Sequence, residues 1–259
     1  MRFSANLGFL FSDRPLLKAI DAAAWGGFDA VEVHFPFDVP AAQLHARLQE
    51  NGLPLIGLNT WPGALSQGDF GLAALRGRQV EAREAIDQAV SYAQLAGAGY
   101  VHVMAGKSGG GRLADRTLLD NLAYAADLAG PHGIEILVEP INRRDVPDYH
   151  FASLAHAVDI LAKADMANTK LIFDCYHMAI MEDDVSAAFK AVFPLVGHIQ
   201  IAAIADRGEP DRGTLDYRVF LSMVRDLGYA RPIGAEYKPR GDSTQQGLSW
   251  LLHLRDAPA

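Results

Sequence analysis

GIEILVEPINRRDVPDYHFASLAHAVDILAKADMANTKLIFD, residues 133–174, holds in one piece the pattern that repeats along the whole chain. After Gly133 the run Glu135–Glu139 is short and apolar, as a buried strand is. Residues 140–152 are irregular, and 153–165 carry alanine and leucine at helical period. A second apolar run, Lys170–Asp174, follows. A strand, a crossover helix and a second strand make a parallel pair. Working outward, further strands are predicted at Arg2–Leu7, Ala30–His34, Pro54–Leu58, Tyr100–Met104, Val196–Ile201 and Pro232–Glu236. Helices are predicted near 14–26, 40–51, 78–97, 115–130, 185–193, 215–228 and 243–254. Glycine turns precede several strands, as at Gly26-Gly27, Gly97-Ala98-Gly99 and Gly228. Eight strands alternating with eight helices predict an α/β fold, a single (β/α)8 TIM barrel over residues 1–259. An open doubly wound sheet would place a glycine-rich phosphate turn after its first strand. Here Gly8-Phe-Leu-Phe11 follows instead, which is no such turn.

The chain has 259 residues, enough for one such barrel, and a net charge of -8. That sign disfavours nucleic acid, whose phosphates need a basic surface, and anionic membranes for the same reason. One cysteine, Cys175, excludes an internal disulfide. The start, Met1–Phe11, is interrupted by Ser4, Asn6 and Gly8 and has no small-residue cleavage pattern. No stretch reaches the length of a membrane span, so a cytoplasmic protein acting on a small molecule is the simplest reading. Assembly into a homo-oligomer is compatible with it.

Irregular stretches at 59–77, 105–114, 140–152 and 202–214 all follow predicted strands. In a barrel they lie on the C-terminal rim, the face that carries active sites. The last four strands end on Glu139, Asp174, Gln200 and Glu236. Side chains alternate along a strand, so Glu135, Leu137 and Glu139 share a face, as do His198 and Gln200, and Gly234 and Glu236. If these faces point inward, three acids and an amide converge at the mouth. Crowded half-buried carboxylates repel one another, and a divalent cation removes that cost. An all-oxygen donor set without thiolate favours Mg²⁺ or Mn²⁺ over zinc.

Five segments carry a family resemblance: Arg2-Phe-Ser-Ala-Asn-Leu7, Glu139-Pro-Ile-Asn142, Asp174-Cys-Tyr-His-Met178, Gly197-His-Ile-Gln-Ile201 and Gly234-Ala-Glu-Tyr-Lys-Pro239. In order and spacing, from residue 2 to about 250, the chain resembles the hydroxypyruvate isomerase family of xylose-isomerase-like TIM barrels. The resemblance implies that Glu139, Asp174, Gln200 and Glu236 bind the metal and that Glu139 and Glu236 are the acid/base pair. It implies an aldose–ketose type isomerisation of hydroxypyruvate to 2-hydroxy-3-oxopropanoate, or of a four-carbon 2-oxo-tetronate. Such a reaction takes a proton from carbon beside a carbonyl and returns it one carbon away, while a metal stabilises the enediolate charge. Arg207 is placed to meet the substrate carboxylate, His177 to touch a substrate oxygen, and Lys107 to reach an anionic substrate from its rim loop. A surface reading of Arg207 would instead pair it with Asp206 or Glu209. Related enzymes often carry Glu-Pro-Gly-Thr-Gly-Glu after the arginine. Here Glu209-Pro-Asp-Arg-Gly-Thr-Leu-Asp216 stands, with the last acid shortened, in a loop expected at the substrate end. A ketose 3-epimerase would use the same two glutamates, and a non-catalytic sugar-acid-binding barrel would need no acid/base pair.

Other signals carry less. Gly106-Lys-Ser-Gly-Gly-Gly111 resembles the tail of a phosphate loop, but Val101 stands where the motif needs glycine. The nine histidines are scattered and form no His-Glu-x-x-His zinc motif. His198 reads as a core residue, and Trp61, in the loop after the third strand, fits either the core or the rim. Multi-zinc DNA-repair endonucleases of this barrel class need more histidine ligands and a basic face, which Gln200 and the net charge do not supply. Cys175 is expected to point away from the metal, into the helix layer.

Overall fold

The computed structural model describes residues 1–151 and 153–255. Eight parallel strands close on themselves in sequence order, and β1 (Phe3–Asn6) pairs with β8 (Ile233–Ala235). Between these lie β2 (Ala30–Glu32), β3 (Leu55–Asn59), β4 (Tyr100–His102), β5 (Glu135–Val138), β6 (Thr169–Asp174) and β7 (Val196–Ile201). The outer layer comprises α1 (Leu16–Trp25), α2 (Ala41–Asn51), α3 (Gln79–Ala96), α4 (Arg112–Ala129) and α5 (Leu154–Ala164). It continues with α6 (Cys175–Met181), α7 (Val185–Val192), α8 (Tyr217–Asp226) and α9 (Ser249–Arg255). The predicted fold is the observed one.

The difference is α6, which the sequence reading left out. It begins on the residue after β6 because Asp174 ends the strand and also caps the helix, its Oδ1 accepting from the Tyr176 amide at 2.8 Å. The predicted last helix is divided into a 3-10 turn, Thr244–Gly247, and α9. No helix among the described residues is long and apolar enough to cross a membrane.

The main core lies between strands and helices, where Phe3, Ile20, Phe173, Phe189, Phe220 and Trp250 are buried. Inside the barrel a small apolar layer of Tyr100, Leu137 and Ile172 closes the lower end. Two residues further along β4, β5 and β6 the inward face turns polar, at His102, Glu139 and Asp174. The barrel thus seals its base with hydrocarbon and leaves its C-terminal end for chemistry.

Candidate active site

Glu139, Asp174, Gln200 and Glu236 are all buried at that end. Asp174 pairs in register with Gln200 and Gln200 with Gly234, so β6, β7 and β8 present their last inward residues at one level. Glu139 and Glu236 stand one residue beyond β5 and β8. Beneath them Glu32 ties the layer together. Its Oε1 accepts from Ser4 Oγ at 3.1 Å, and its Oε2 accepts from Tyr100 OH at 3.0 Å and Gln200 Nε2 at 2.9 Å. His198 Nε2 lies 3.2 Å from the same Oε2, so this histidine is a core residue held by a carboxylate. Gly234 is required here: a Cβ would sit 2.2 Å from Glu32 Oε1 and 2.7 Å from His198 Nε2.

The Glu32 bond fixes the Gln200 amide by its nitrogen. Its Oε1 is buried without a hydrogen-bond partner, and so is Glu139 Oε1. Buried polar oxygens left unpaired are costly, and a cation is one way to satisfy them.

The three acids share one nearby guanidinium. Arg207 Nη2 donates to Glu236 Oε2 at 2.7 Å and to Asp174 Oδ2 at 3.5 Å. Asn6 Nδ2 donates to Glu236 Oε1 at 2.9 Å, and His34 Nε2 lies 3.3 Å from that oxygen. Burial raises the Glu236 pKa, but Arg207 and His34 outweigh it and bring it to about 2. Asp174 is pushed up to about 7 by burial and by Glu236, against Arg207. Burial, then the charges of Glu236 and Asp174, hold Glu139 well above the usual carboxylate range. Arg207 therefore keeps Glu236 ionised at neutral pH, while Asp174 and Glu139 are both pushed toward their neutral forms. Further positive charge would offset this crowding of acids, which is the electrostatic demand a divalent ion meets. The donor chemistry and the unpaired oxygens both fit such an ion.

His177, on α6, lies with Nε2 3.6 Å from Glu139 Oε1 and 3.5 Å from Asp174 Oδ2, and these three residues form a buried group able to hold a metal. Its other nitrogen argues for a different role. Nδ1 receives the Asn142 side-chain NH2 at 2.6 Å and the Asn142 amide at 3.4 Å, so Nδ1 is an acceptor and Nε2 carries the proton. Burial, then Arg207, lowers the His177 pKa to about 3, so the ring is a neutral donor aimed into the site.

Arg207 does not pair with Asp206 or Glu209. Arg240 takes both, at 2.7 Å and 3.2 Å, and leaves Arg207 to turn inward between the rings of Phe9 and Tyr176. Its backbone is left-handed, with φ 55°, and its Nε is buried and unpartnered. Lys107 is not brought to the cluster. It is exposed, lines a groove with Arg78 and Arg112, and its charge acts on Asp69. Asp216 does not face the substrate end either: it is the N-cap of α8, accepting from the amides of Arg218 and Val219. Cys175 is buried in the main core, as expected.

The sequence reading missed Asn6, Glu32, His34, His102 and Asn142. Ser4 and Asn6, Glu32 and His34, and Tyr100 and His102 each alternate with apolar residues, so the same strand period marks them.

This barrel with its acids at the strand ends matches the family described as xylose isomerase-like TIM barrel, over residues 20–254. The chain belongs to that family. Among particular relatives, it is 43% identical to a 2-oxo-tetronate isomerase of Cupriavidus necator, covering 96% of this chain and 97% of that one. It is 33% identical to the hydroxypyruvate isomerase of Escherichia coli, covering 97% and 98%. A crystal structure from Brucella melitensis described as an AP endonuclease, family 2, superposes with a TM-score of 0.94 at 36% identity, covering 98% of this chain and 99% of that one.

Proposed function

We propose that this protein is an intramolecular oxidoreductase that interconverts hydroxypyruvate and 2-hydroxy-3-oxopropanoate, or the corresponding forms of a four-carbon 2-oxo-tetronate. The observation that carries the reading is the pair Glu139 and Glu236, two buried carboxyls at one mouth with opposite proton affinities. Groups pushed apart in this way are suited to take a proton and to give one. The two full-length relatives, each an isomerase of a small hydroxy-oxo acid by name, support the same chemistry.

In this reading Glu139, Asp174, Gln200 and Glu236 hold Mg²⁺ or Mn²⁺, with Gln200 giving its unpaired Oε1. When bound, such an ion supplies positive charge where negative charge grows on the substrate oxygens. Glu236, kept ionised by Arg207 and held by Asn6, removes the proton from the carbon beside the carbonyl. Glu139 delivers a proton to the neighbouring carbon, and the hydroxyl proton passes to the former carbonyl oxygen, which completes the shift of the carbonyl with no net change in protons on the substrate. His177 Nε2–H donates to a substrate oxygen. The guanidinium of Arg207 supplies positive charge for the substrate carboxylate, while its Nη2 stays with Glu236. An endonuclease role has less support: the net charge is -8, and a duplex needs a basic surface.

The test is turnover with Mn²⁺ or Mg²⁺ in deuterated water. Deuterium on the carbon that gained the hydroxyl, with the carbonyl moved by one position, is the expected result. Inversion of a ketose carbon with no carbonyl migration would identify an epimerase instead. No exchange with any three- or four-carbon oxo-acid would reject the proposal.

A further inference from the structure

We propose that Asp115, His150 and His156 form a second metal site, for a transition ion of the zinc type, apart from the barrel mouth. Asp115 projects from α4 and His156 from α5, and His150 lies in the segment between β5 and α5. One ligand atom from each lies within 4.8 Å of the others. Asp115 Oδ1 is 3.1 Å from His156 Nε2 and 3.4 Å from His150 Nε2. In a tetrahedral zinc centre with bonds of ~2.0–2.1 Å, neighbouring ligand atoms stand about 3.3 Å apart. The two separations from Asp115 Oδ1 already match such an ion, and the two imidazole nitrogens lie within 4.8 Å of each other.

The second observation is at His150, which is fully buried. Its Nε2 points into the cluster and has no hydrogen-bond partner. Its Nδ1 is engaged by Ser108 Oγ at 2.8 Å, an outer contact that fixes the ring of a metal-bound histidine. Asp115 Oδ1 makes its hydrogen bond with His156, and His150 Nε2, 3.4 Å from the same oxygen, is left without one. An ion among the three serves all of them. Two imidazole nitrogens and one carboxylate oxygen select zinc, cobalt or nickel over magnesium, and three protein ligands leave one position for water. The site would fasten α4 and α5 to the segment that carries Asn142, the residue that holds His177.

The experiment uses the full chain stripped with chelator and titrated with Zn²⁺, then with Co²⁺ as a spectroscopic probe. His156→Gln and Asp115→Asn, both at partly exposed positions, are compared with wild type after circular dichroism confirms the fold. Each variant is expected to bind one zinc equivalent fewer than wild type. Each should also lose the intense visible absorption of four-coordinate cobalt with nitrogen ligands, while Glu139→Gln retains it. An unchanged zinc count and cobalt spectrum in the folded variants would overturn the proposal. So would a cobalt band that disappears in Glu139→Gln and persists in His156→Gln. The count compares wild type with the variant, so it reads this site whether or not the barrel mouth binds an ion.

Discussion

Gly234→Ala is a one-carbon change with a calculable consequence. The added Cβ would stand 2.2 Å from Glu32 Oε1, 2.7 Å from His198 Nε2 and 2.9 Å from Gln200 Cγ. None of these can retreat cheaply. Glu32 is held by Ser4, Tyr100 and Gln200, and all four residues are buried. Overpacking a filled interior costs about 1–3 kcal/mol, and breaking one buried hydrogen bond so as to orphan its partner adds about 1–3 kcal/mol. A loss of about 3 kcal/mol lowers the unfolding midpoint of a chain this size by roughly 6–12 °C. Displacing Gln200 also removes one proposed ligand, so Mn²⁺ affinity should fall about tenfold or more, as when a supporting contact of a metal ligand is lost. Urea and thermal melts with chelator present measure the first effect, and Mn²⁺ titration calorimetry measures the second. Adding Glu32→Asp, which shortens the acid by one methylene, should recover about 1 kcal/mol or more of the alanine variant's loss. A stability change under 1 kcal/mol together with unchanged Mn²⁺ affinity would refute the reasoning, because it would mean that the Glu32 layer yields freely.

Other perturbations address the chemistry. Glu139→Gln and Glu236→Gln should each lower kcat by about a hundredfold or more while the far-ultraviolet spectrum is kept, and a near-normal rate in either variant would remove that residue from the mechanism. Arg207→Met should raise KM for oxo-acids and move the acid limb of the kcat/KM profile upward, since the cation that brings Glu236 to about 2 is gone. If neither quantity moves, Arg207 takes no part. Asp174 at about 7 and the raised Glu139 mean that the metal-free fold binds more protons than the unfolded chain between about pH 4 and 7. Stability with chelator should therefore fall as pH rises through that window, whereas the contribution of Glu236, whose pKa is lowered, is lost only as pH drops from about 4.5 toward 2. Mn²⁺ added near pH 6.5 should release protons, measurable in weak buffer, and should stabilise the fold most above pH 7. Addition without proton release would contradict this assignment.

The barrel was legible because strand and helix periods alternate without interruption, and the acids were legible because they end strands. The supporting groups carried the same alternation. Glu32 ends β2 and His34 stands two residues beyond it, yet their partners lie on β1, β4, β7 and beyond β8, contacts that only barrel closure creates. The helix α6 was hidden because Asp174 serves two elements at once and no loop separates them. Lys107 was misplaced by loop shape. Gly106, at φ 92°, passes so close to the Gly71 carbonyl that a Cβ would lie 2.3 Å from it, and the next residue is carried out toward the groove beside Asp69. Charge and composition contain nothing of that crossing. For Arg207 the sequence left a surface pairing open beside the substrate-binding one, because the choice depends on Arg240, which is remote in the chain and claims Asp206 and Glu209.

Arg240 gives the cavity an asymmetric architecture. Its guanidinium grips Asp206, Glu209 and Asp211 together, which ties the turn bearing Arg207 to the segment after β8. A substrate one carbon longer would have to part these ion pairs to gain room on that flank. The loops after β2 and β3 offer uncharged lining instead, the aromatic row of His34, Phe35 and Trp61. Chain-length preference in this scaffold is therefore to be sought, and re-engineered, in those rings.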